Sequence, residues 1–169
     1  MSSRPIRLRA PFFAAAAFMA VFADAHVARA AETTEIAYPQ GAATFQANCS
    51  VCHGPQGAGL PSLAPPLLSY PARYAASAEG RRQLALTVLY GLFGDITVEG
   101  KHYDFRMPAF SQLADATLAA ALNFVVFDLG HAPATVPALT AADLAAERAH
   151  EMDGAAVREH RKTVAPDGA

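Results

Sequence analysis

Apolar residues recur at helical spacing in several parts of the chain. In "AEGRRQLALTVLYGLFG", Leu84, Val88 and Leu92 fall on one face, which predicts an amphipathic helix. In "ATLAAALNFVVFDL", a nearly continuous apolar run ends before Gly130, and Asp115 precedes it as a candidate helix cap. These stretches predict helices that bury their apolar faces against one another in a small common core.

Two shorter signals predict further helices on either side of that core. "QGAATFQANC" predicts a short helix from Gln40 to Cys49, with Phe45 on its buried face. Thr140 and Asp143 have the spacing of a capping box, which predicts a helix from Ala141 to Met152.

Three other segments depart from helical periodicity. The alternation in "ITVEGKHY" around Glu99-Gly100 predicts a small β-hairpin. Frequent prolines and glycines between Gly54 and Ser77 predict an irregular loop. The mixed charges of "VREHRKTVAPDGA" predict a tail that frays. The whole pattern therefore predicts an all-α fold with one short hairpin.

The first thirty residues have a separate pattern. "MSSRPIRLR" is basic, the stretch from Pro11 to Ala23 is apolar, and Ala28-Arg29-Ala30 matches a small-residue cleavage site. This order is typical of a secretory signal peptide. A retained membrane anchor is the alternative, but the apolar stretch is shorter than the roughly 20 residues that span a bilayer. We therefore predict a signal peptide over 1–30, one domain over 31–136, and a C-terminal helix and tail over 137–169.

Loss of the predicted signal peptide would make the protein more acidic. The chain has 13 Lys and Arg, 15 Asp and Glu and a formal charge of −2; residues 1–30 hold four of these bases and one of these acids, so the remainder has nine bases, 14 acids and a charge of −5. An acidic surface argues against nucleic acid or an anionic membrane as a partner. The later apolar stretch "LAAALNFVVFDL" is too short to cross a membrane. The prediction is a soluble periplasmic protein.

"NCSVCHGPQGAG" contains the only two cysteines, Cys49 and Cys52, followed directly by His53. Three kinds of chemistry use such a pair. A redox-active disulfide normally accompanies a strand–helix alternation that this chain lacks, and zinc needs more ligands than one Cys pair and one His supply. The third is C-x-x-C-H, the attachment signal for c-type haem, and an exported chain without competing motifs favours it.

The spacing suits covalent haem attachment. Residues three apart on a helical turn face the same side, so the thiols of Cys49 and Cys52 can add to the two vinyl groups of one haem. His53 would then follow as the proximal ligand of the iron. With one such motif and no internal repeat, we predict one covalent haem c with its iron.

Met107 is the candidate for the sixth ligand. It lies in "DFRMPAF", where Pro108 disfavours helical backbone at the preceding residue. Met1 and Met19 belong to the predicted signal peptide, and Met152 lies in a polar segment. A lone Met is often core filler, but the polar neighbours of Met107 argue against that here. Among the other histidines, mostly expected at the surface, His102 is the only serious rival.

The segments "GAATFQANCSVCHG", "GAGLPSLAPPL" and "MPAFSQLADATLAAALNFV" together resemble class I c-type cytochromes of the bacterial monohaem periplasmic type. The resemblance implies a small helical fold around one haem, with Gly41 and Phe45 crossing the helix that bears Phe124. It also implies that the carbonyl of Pro65 accepts the Nδ1 hydrogen of His53, which would fix the ring's orientation and basicity.

This resemblance and the ligand pattern predict an electron carrier rather than an enzyme. A His and a Met together would fill both axial positions of the iron, so no substrate could reach it. The expected partners are redox proteins, such as a periplasmic dehydrogenase or a terminal oxidase. Two alternatives stay open: a haem subunit locked into a dehydrogenase or oxidase complex, and a haem sensor or enzyme whose sixth site is open or labile.

The exported protein should begin at Ala31, because Ala28 and Ala30 occupy the small-residue positions of the cleavage site. Intact-mass measurement or N-terminal sequencing of the exported protein checks this. A product that retains Met1 would contradict it.

Overall fold

The computed structural model describes residues 35–164; the predicted signal peptide and residues 165–169 lie outside this range. The described part is mostly helical, in agreement with the predicted all-α class. The helices are α1 Pro39–Asn48, α2 Ser50–His53, α3 Tyr70–Ala75, α4 Ala78–Tyr90, α5 Asp115–Asn123, a π-helical continuation Phe124–Leu129, α6 Ala141–Arg148 and α7 Gly154–Val164. None of these helices has the length and apolar character that crossing a bilayer would need.

Helices α1 and α5 cross at very close range. Gly41 faces the backbone of Ala120, and a Cβ at Gly41 would lie 2.0 Å from the Ala120 carbonyl oxygen. One turn further along α1, the rings of Phe45 and Phe124 have centroids 5.4 Å apart. The missing Cβ therefore lets the two backbones touch, and the aromatic pair fills the space beside them.

The larger core lies where α3, α4, α5 and α6 meet. Tyr74, Leu89 and Leu144 are among its most buried side chains. The linker before α6 is attached to this core by Asn123, whose side chain donates to the Leu139 carbonyl and accepts from the Leu139 amide, both at 2.9 Å. Satisfying both partners of a buried amide in this way fixes the path of the chain.

The predicted hairpin is confirmed and lies between α4 and the segment that carries Met107. Strands β1 Ile96–Val98 and β2 Lys101–Tyr103 are antiparallel. Glu99 and Gly100 form the turn with positive φ angles of 50° and 74°, the combination that two-residue hairpins favour.

The prediction of an irregular loop from Gly54 to Ser77 is wrong at its end, because α3 forms there. Pro71 occupies the first turn of α3, where its missing N–H removes no helical hydrogen bond. Tyr74 and Ala75 are buried against the core. Burial, not local propensity, therefore makes this short segment helical.

The prediction that the C-terminal segment frays is wrong up to Val164. Asp153 caps α7, with its carboxylate oxygen accepting from the amides of Ala155 and Ala156 at 3.0 and 2.8 Å. Val157 is fully buried, and α7 packs on α4. Helical spacing of buried positions was present in the sequence, but the charged residues between them obscured it.

The boundaries of α5 and α6 differ in two details from the prediction. Asp115 does not cap α5; Ala114 precedes the helix, and the Asp115 carboxylate instead pairs with Arg148 at 2.8 Å. The predicted capping box of Thr140 and Asp143 is present at the start of α6, but that helix ends at Arg148 instead of Met152. The guanidinium of Arg148 also donates to the carbonyls of Ser111 and Leu113, so it joins the end of α6 to the start of α5.

The two ends of the α1–α5 pair are joined by Asp128. Its carboxylate oxygens accept from the backbone amides of Ala37 at 2.7 Å and Tyr38 at 3.1 Å. The ring of Tyr38 also stacks on Phe127. These contacts hold the residues before α1 against the end of the π-helical segment.

Replacing Gly41 by Ala should destabilise the protein by about 1–3 kcal/mol, because the added Cβ overlaps the backbone of Ala120 and forces α1 and α5 apart. Ala43→Ser adds one atom on the exposed side of the same helix and should change stability by no more than about 0.5 kcal/mol. Denaturant unfolding of both variants measures the difference. Equal stabilities would show that the crossing tolerates separation.

Candidate functional site

The C-x-x-C-H motif occupies one helical turn directly after α1. The amides of Cys52 and His53 donate to the carbonyl of Cys49 at 3.2 and 2.9 Å. This turn places the two sulfurs and the imidazole beside the same cavity, and all three residues line it. The predicted C-x-x-C-H residues are therefore together at one site.

The cavity encloses about 1050 Å³ of empty space, including its open mouth. Most of its walls are apolar, which suits a large hydrophobic ligand. Its lining residues come from segments between the end of α1 and α7. They are Asn48, Cys49, Val51, Cys52, His53, Leu63, Ala64, Pro65, Tyr70, Tyr74, Gln83, Leu84, Thr87, Leu92, Ile96, Tyr103, Phe105, Arg106, Met107, Pro108, Phe110 and Arg161.

His53 is buried and oriented by the loop that follows it. Its Nδ1 lies 2.9 Å from the Pro65 carbonyl oxygen, which can only accept, so Nδ1 carries the hydrogen and Nε2 has the free lone pair. Burial lowers the pKa of His53, and the hydrogen bond to Pro65 partly opposes that change. The result is a neutral imidazole, the form that binds a metal.

Gly59 fixes the position of the Pro65 carbonyl. The Gly59 amide donates to the His53 carbonyl at 2.7 Å, and its φ is +75°. A Cβ at this position would lie 2.7 Å from the Ala64 carbonyl oxygen and 2.8 Å from the Pro65 carbonyl carbon. A side chain at residue 59 would thus push away the segment that orients His53.

Met107 lines the same cavity from an extended segment. Its amide donates to the Leu92 carbonyl at 2.9 Å and its carbonyl accepts from the Leu92 amide at 3.1 Å. This bridge attaches the segment to the end of α4. His102, the rival ligand, is instead 65% exposed, pairs with Asp95 and does not line the cavity.

The properties of the cysteines bear on the disulfide and zinc alternatives. Burial, and to a smaller extent the electrostatic effect of the neighbouring Cys52, raises the pKa of Cys49 to about 11. Redox-active C-x-x-C thiols have the opposite shift, because they react as thiolates. For zinc, a fourth ligand would be needed beside Cys49, Cys52 and His53, and no group of His, Cys, Asp and Glu among residues 35–164 is arranged to hold a metal ion by itself.

Sequence reasoning missed several polar residues of the cavity. Tyr74 and Gln83 come from α3 and α4, and Arg161 comes from the segment that was predicted to fray. His160, expected at the surface with most other histidines, is mostly buried, and its Nδ1 lies 2.6 Å from Gln83 Oε1. No local motif marks these residues, because their roles depend on contacts between distant helices.

A helical fold whose first helix leads into C-x-x-C-H, beside an apolar cavity that also contains Met107, defines a class I c-type cytochrome. Residues 37–125 match the family described as "Cytochrome C oxidase, cbb3-type, subunit III". The match covers more than half of the 169-residue chain, and the chain belongs to this family of cytochrome c domains. Its cofactor is accordingly one covalently bound haem c with its iron.

Two relatives support the same assignment. Both are named cytochrome c-552 and come from Thermus thermophilus, the second from a specified strain of that species. Each is 41% identical to this chain over 90 residues, which is 53% of this chain and 69% and 61% of the respective relatives. The similarity identifies a haem protein of electron transfer, with redox proteins as its partners.

Gly59→Ala should destabilise the haem-loaded protein by about 1–3 kcal/mol more than Gly100→Ala, because both positions have positive φ but only Gly59 is crowded. With His53 as the predicted proximal ligand of the iron, a displaced Pro65 carbonyl would also make its imidazole a weaker donor of electron density, so the reduction potential should rise. Thermal unfolding and redox titration measure both effects. Identical behaviour of the two variants would show that the loop does not control His53.

Proposed function

We propose that the protein is a periplasmic electron carrier whose haem is attached to Cys49 and Cys52 and whose iron is ligated by His53 and Met107. When bound, the haem supplies one-electron chemistry through its ferric and ferrous states. The observation that carries the proposal is that His53 and Met107, 54 positions apart in the chain, line one cavity beside both cysteines.

The two proposed ligands have complementary chemistry. His53 is held as a neutral imidazole by the Pro65 carbonyl, so its Nε2 is available to a metal. Met107 offers a soft, neutral thioether that favours ferrous iron and gives a higher potential than a second His would. With both positions filled, the protein excludes substrates and small ligands from the iron.

The rest of the cavity supports electron transfer over catalysis. Among residues 35–164, no Asp or Glu lines it, and His53 is its only histidine. A general acid and base pair of the usual kind is therefore lacking there. Val51 and Phe105 line the mouth and are 76% and 52% exposed. These apolar side chains would let a partner protein approach the haem edge closely.

A signal-type N-terminal sequence supports a periplasmic location. The electron donor proposed there is a dehydrogenase or similar protein, and the proposed acceptor is a terminal oxidase. A second candidate function is that of a haem subunit held within an oxidase complex. The name of the matched family, a subunit of cbb3-type cytochrome c oxidase, favours it. The two candidates share the same site and differ in how permanently the partner is bound.

Met107→Ala should remove the near-infrared sulfur-to-iron charge-transfer band of the oxidised protein, because that band requires a thioether ligand. It should also lower the reduction potential and allow the iron to bind carbon monoxide or cyanide. Absorption spectroscopy, redox titration and ligand binding measure these changes.

His102→Ala is the matched control, since His102 is exposed and outside the cavity. It should preserve the band, the potential and the resistance to carbon monoxide. A wild-type protein that is high-spin, or that binds carbon monoxide readily when reduced, would instead indicate an open sixth position and a sensor or enzyme.

A further inference from the structure

Arg161 is a buried charge with few partners. The buried polar or charged side chains of residues 35–164 are His53, Gln83, Asn123 and Arg161. The first three have hydrogen bonds that satisfy their main donors and acceptors. Arg161 is 8% exposed, and its guanidinium makes one hydrogen bond, from Nη2 to the Thr97 carbonyl at 3.2 Å. Since a guanidinium has five N–H donors, most of them lack a protein acceptor in the described structure.

Tyr74 places a second unsatisfied donor in the same cavity. Its side chain is 2% exposed, and its hydroxyl makes no hydrogen bond to the described residues. The Arg161 guanidinium lies 5.7 Å from the centroid of the Tyr74 ring. Burial raises the pKa of Tyr74, and the positive charge of Arg161 opposes that rise. The Tyr74 hydroxyl hydrogen and most N–H groups of Arg161 lack a protein acceptor, and both side chains line one cavity, which indicates that the cavity's ligand supplies an acceptor.

An anion is the acceptor that matches the charge of Arg161. None of the ion pairs among residues 35–164 includes Arg161, and no carboxylate lines the cavity. The nearby acid Glu159, on the same helix, pairs with Arg158 and Lys162. Because an unpaired buried cation is destabilising, a ligand that fills the site stabilises the protein most if it brings a counter-charge.

Haem carries two propionate carboxylates, and we propose that Arg161 and Tyr74 bind one of them. A guanidinium fork and a phenol hydroxyl are matched donors for a carboxylate. This inference rests on the proposed placement of the haem in the cavity. It makes α7, which lies beyond residues 37–125 of the family match, a functional part of the haem site.

The packing of α7 on α4 places the Arg161 side chain at the cavity. The Gln83 side chain of α4 donates to the Val157 carbonyl at 3.3 Å, and its Oε1 lies 2.6 Å from His160 Nδ1. Through Val157 and His160, these contacts hold α7 against α4. Arg106 also lines the cavity, but it is exposed and stacks on Phe93 at 3.8 Å, so solvent and the ring already stabilise its charge.

The test compares charge-removing variants of the haem-loaded protein. In Arg161→Gln, the carboxylate stretch of ¹³C-labelled haem propionate should shift in redox-difference infrared spectra. The potential should fall, because a cation beside the haem favours the ferrous form. The reduction potential of this variant should also decrease as the pH rises over about pH 5–8, because a buried propionate without its cation has a raised pKa and loses its proton in that range. Arg161→Lys keeps the charge and should restore most of the potential.

Lys162→Gln removes the same charge from the exposed side of α7 and should leave the band and the pH profile unchanged. An equally low potential in Arg161→Lys and Arg161→Gln would assign the effect to packing and overturn the proposal. So would an infrared shift in Arg106→Gln but not in Arg161→Gln. If Arg161→Gln does not accumulate with haem, Tyr74→Phe decides: it removes one hydroxyl and should shift the same infrared band, and no shift would overturn the proposal.

The failure of this inference is distinguishable from failure of the proposed function. Met107 ligation is judged from the charge-transfer band and spin state of the wild-type protein. Propionate binding is judged from the labelled carboxylate, whatever the sixth ligand is. A wild type with an open sixth position but a propionate band sensitive to Arg161 would retain this inference and overturn the other.

Discussion

The contact between α1 and α5 is the constraint on which the rest of the structure depends. α1 leads directly into the turn that carries Cys49, Cys52 and His53, and the segment of Met107 lies shortly before α5. Because these two parts of the site are attached to crossing helices, the closeness of the crossing at Gly41 determines how near they lie. Helix packing therefore sets how near the two parts of the site lie, and the loop that carries Pro65 sets the orientation of His53.

Features of the fold and site could be predicted from the sequence where they depend on residues close together in the chain. Covalent haem attachment through C-x-x-C-H needs both cysteines and the histidine within one turn, so the motif was visible in the sequence at Cys49, Cys52 and His53. Met107 could be singled out because Pro108 favours extended backbone and other methionines lie in less suitable segments. By contrast, α3 was missed because Pro71 ends a proline-rich stretch typical of a loop, and its helical form depends on burial of Tyr74 in the core.

Arg161 shows why the rest was not accessible from the sequence. In the sequence it is one base within a charged tail, and such residues are usually solvated. Its burial depends on the Thr97 carbonyl, 64 positions earlier, and on Tyr74. The signal that was present was the Asp153 cap followed by Val157 at helical spacing, which would have predicted α7 but not the direction of the arginine.

The bonds from Asp128 to Ala37 and Tyr38 bring the beginning and the end of the α1–α5 unit together. A unit whose entry and exit points are neighbours can be inserted into another chain, or joined in series, without stretching its core. In this chain the segment from Ala37 to Asp128 therefore enters and leaves at one place, and α6 and α7 can cover the core without altering the α1–α5 crossing.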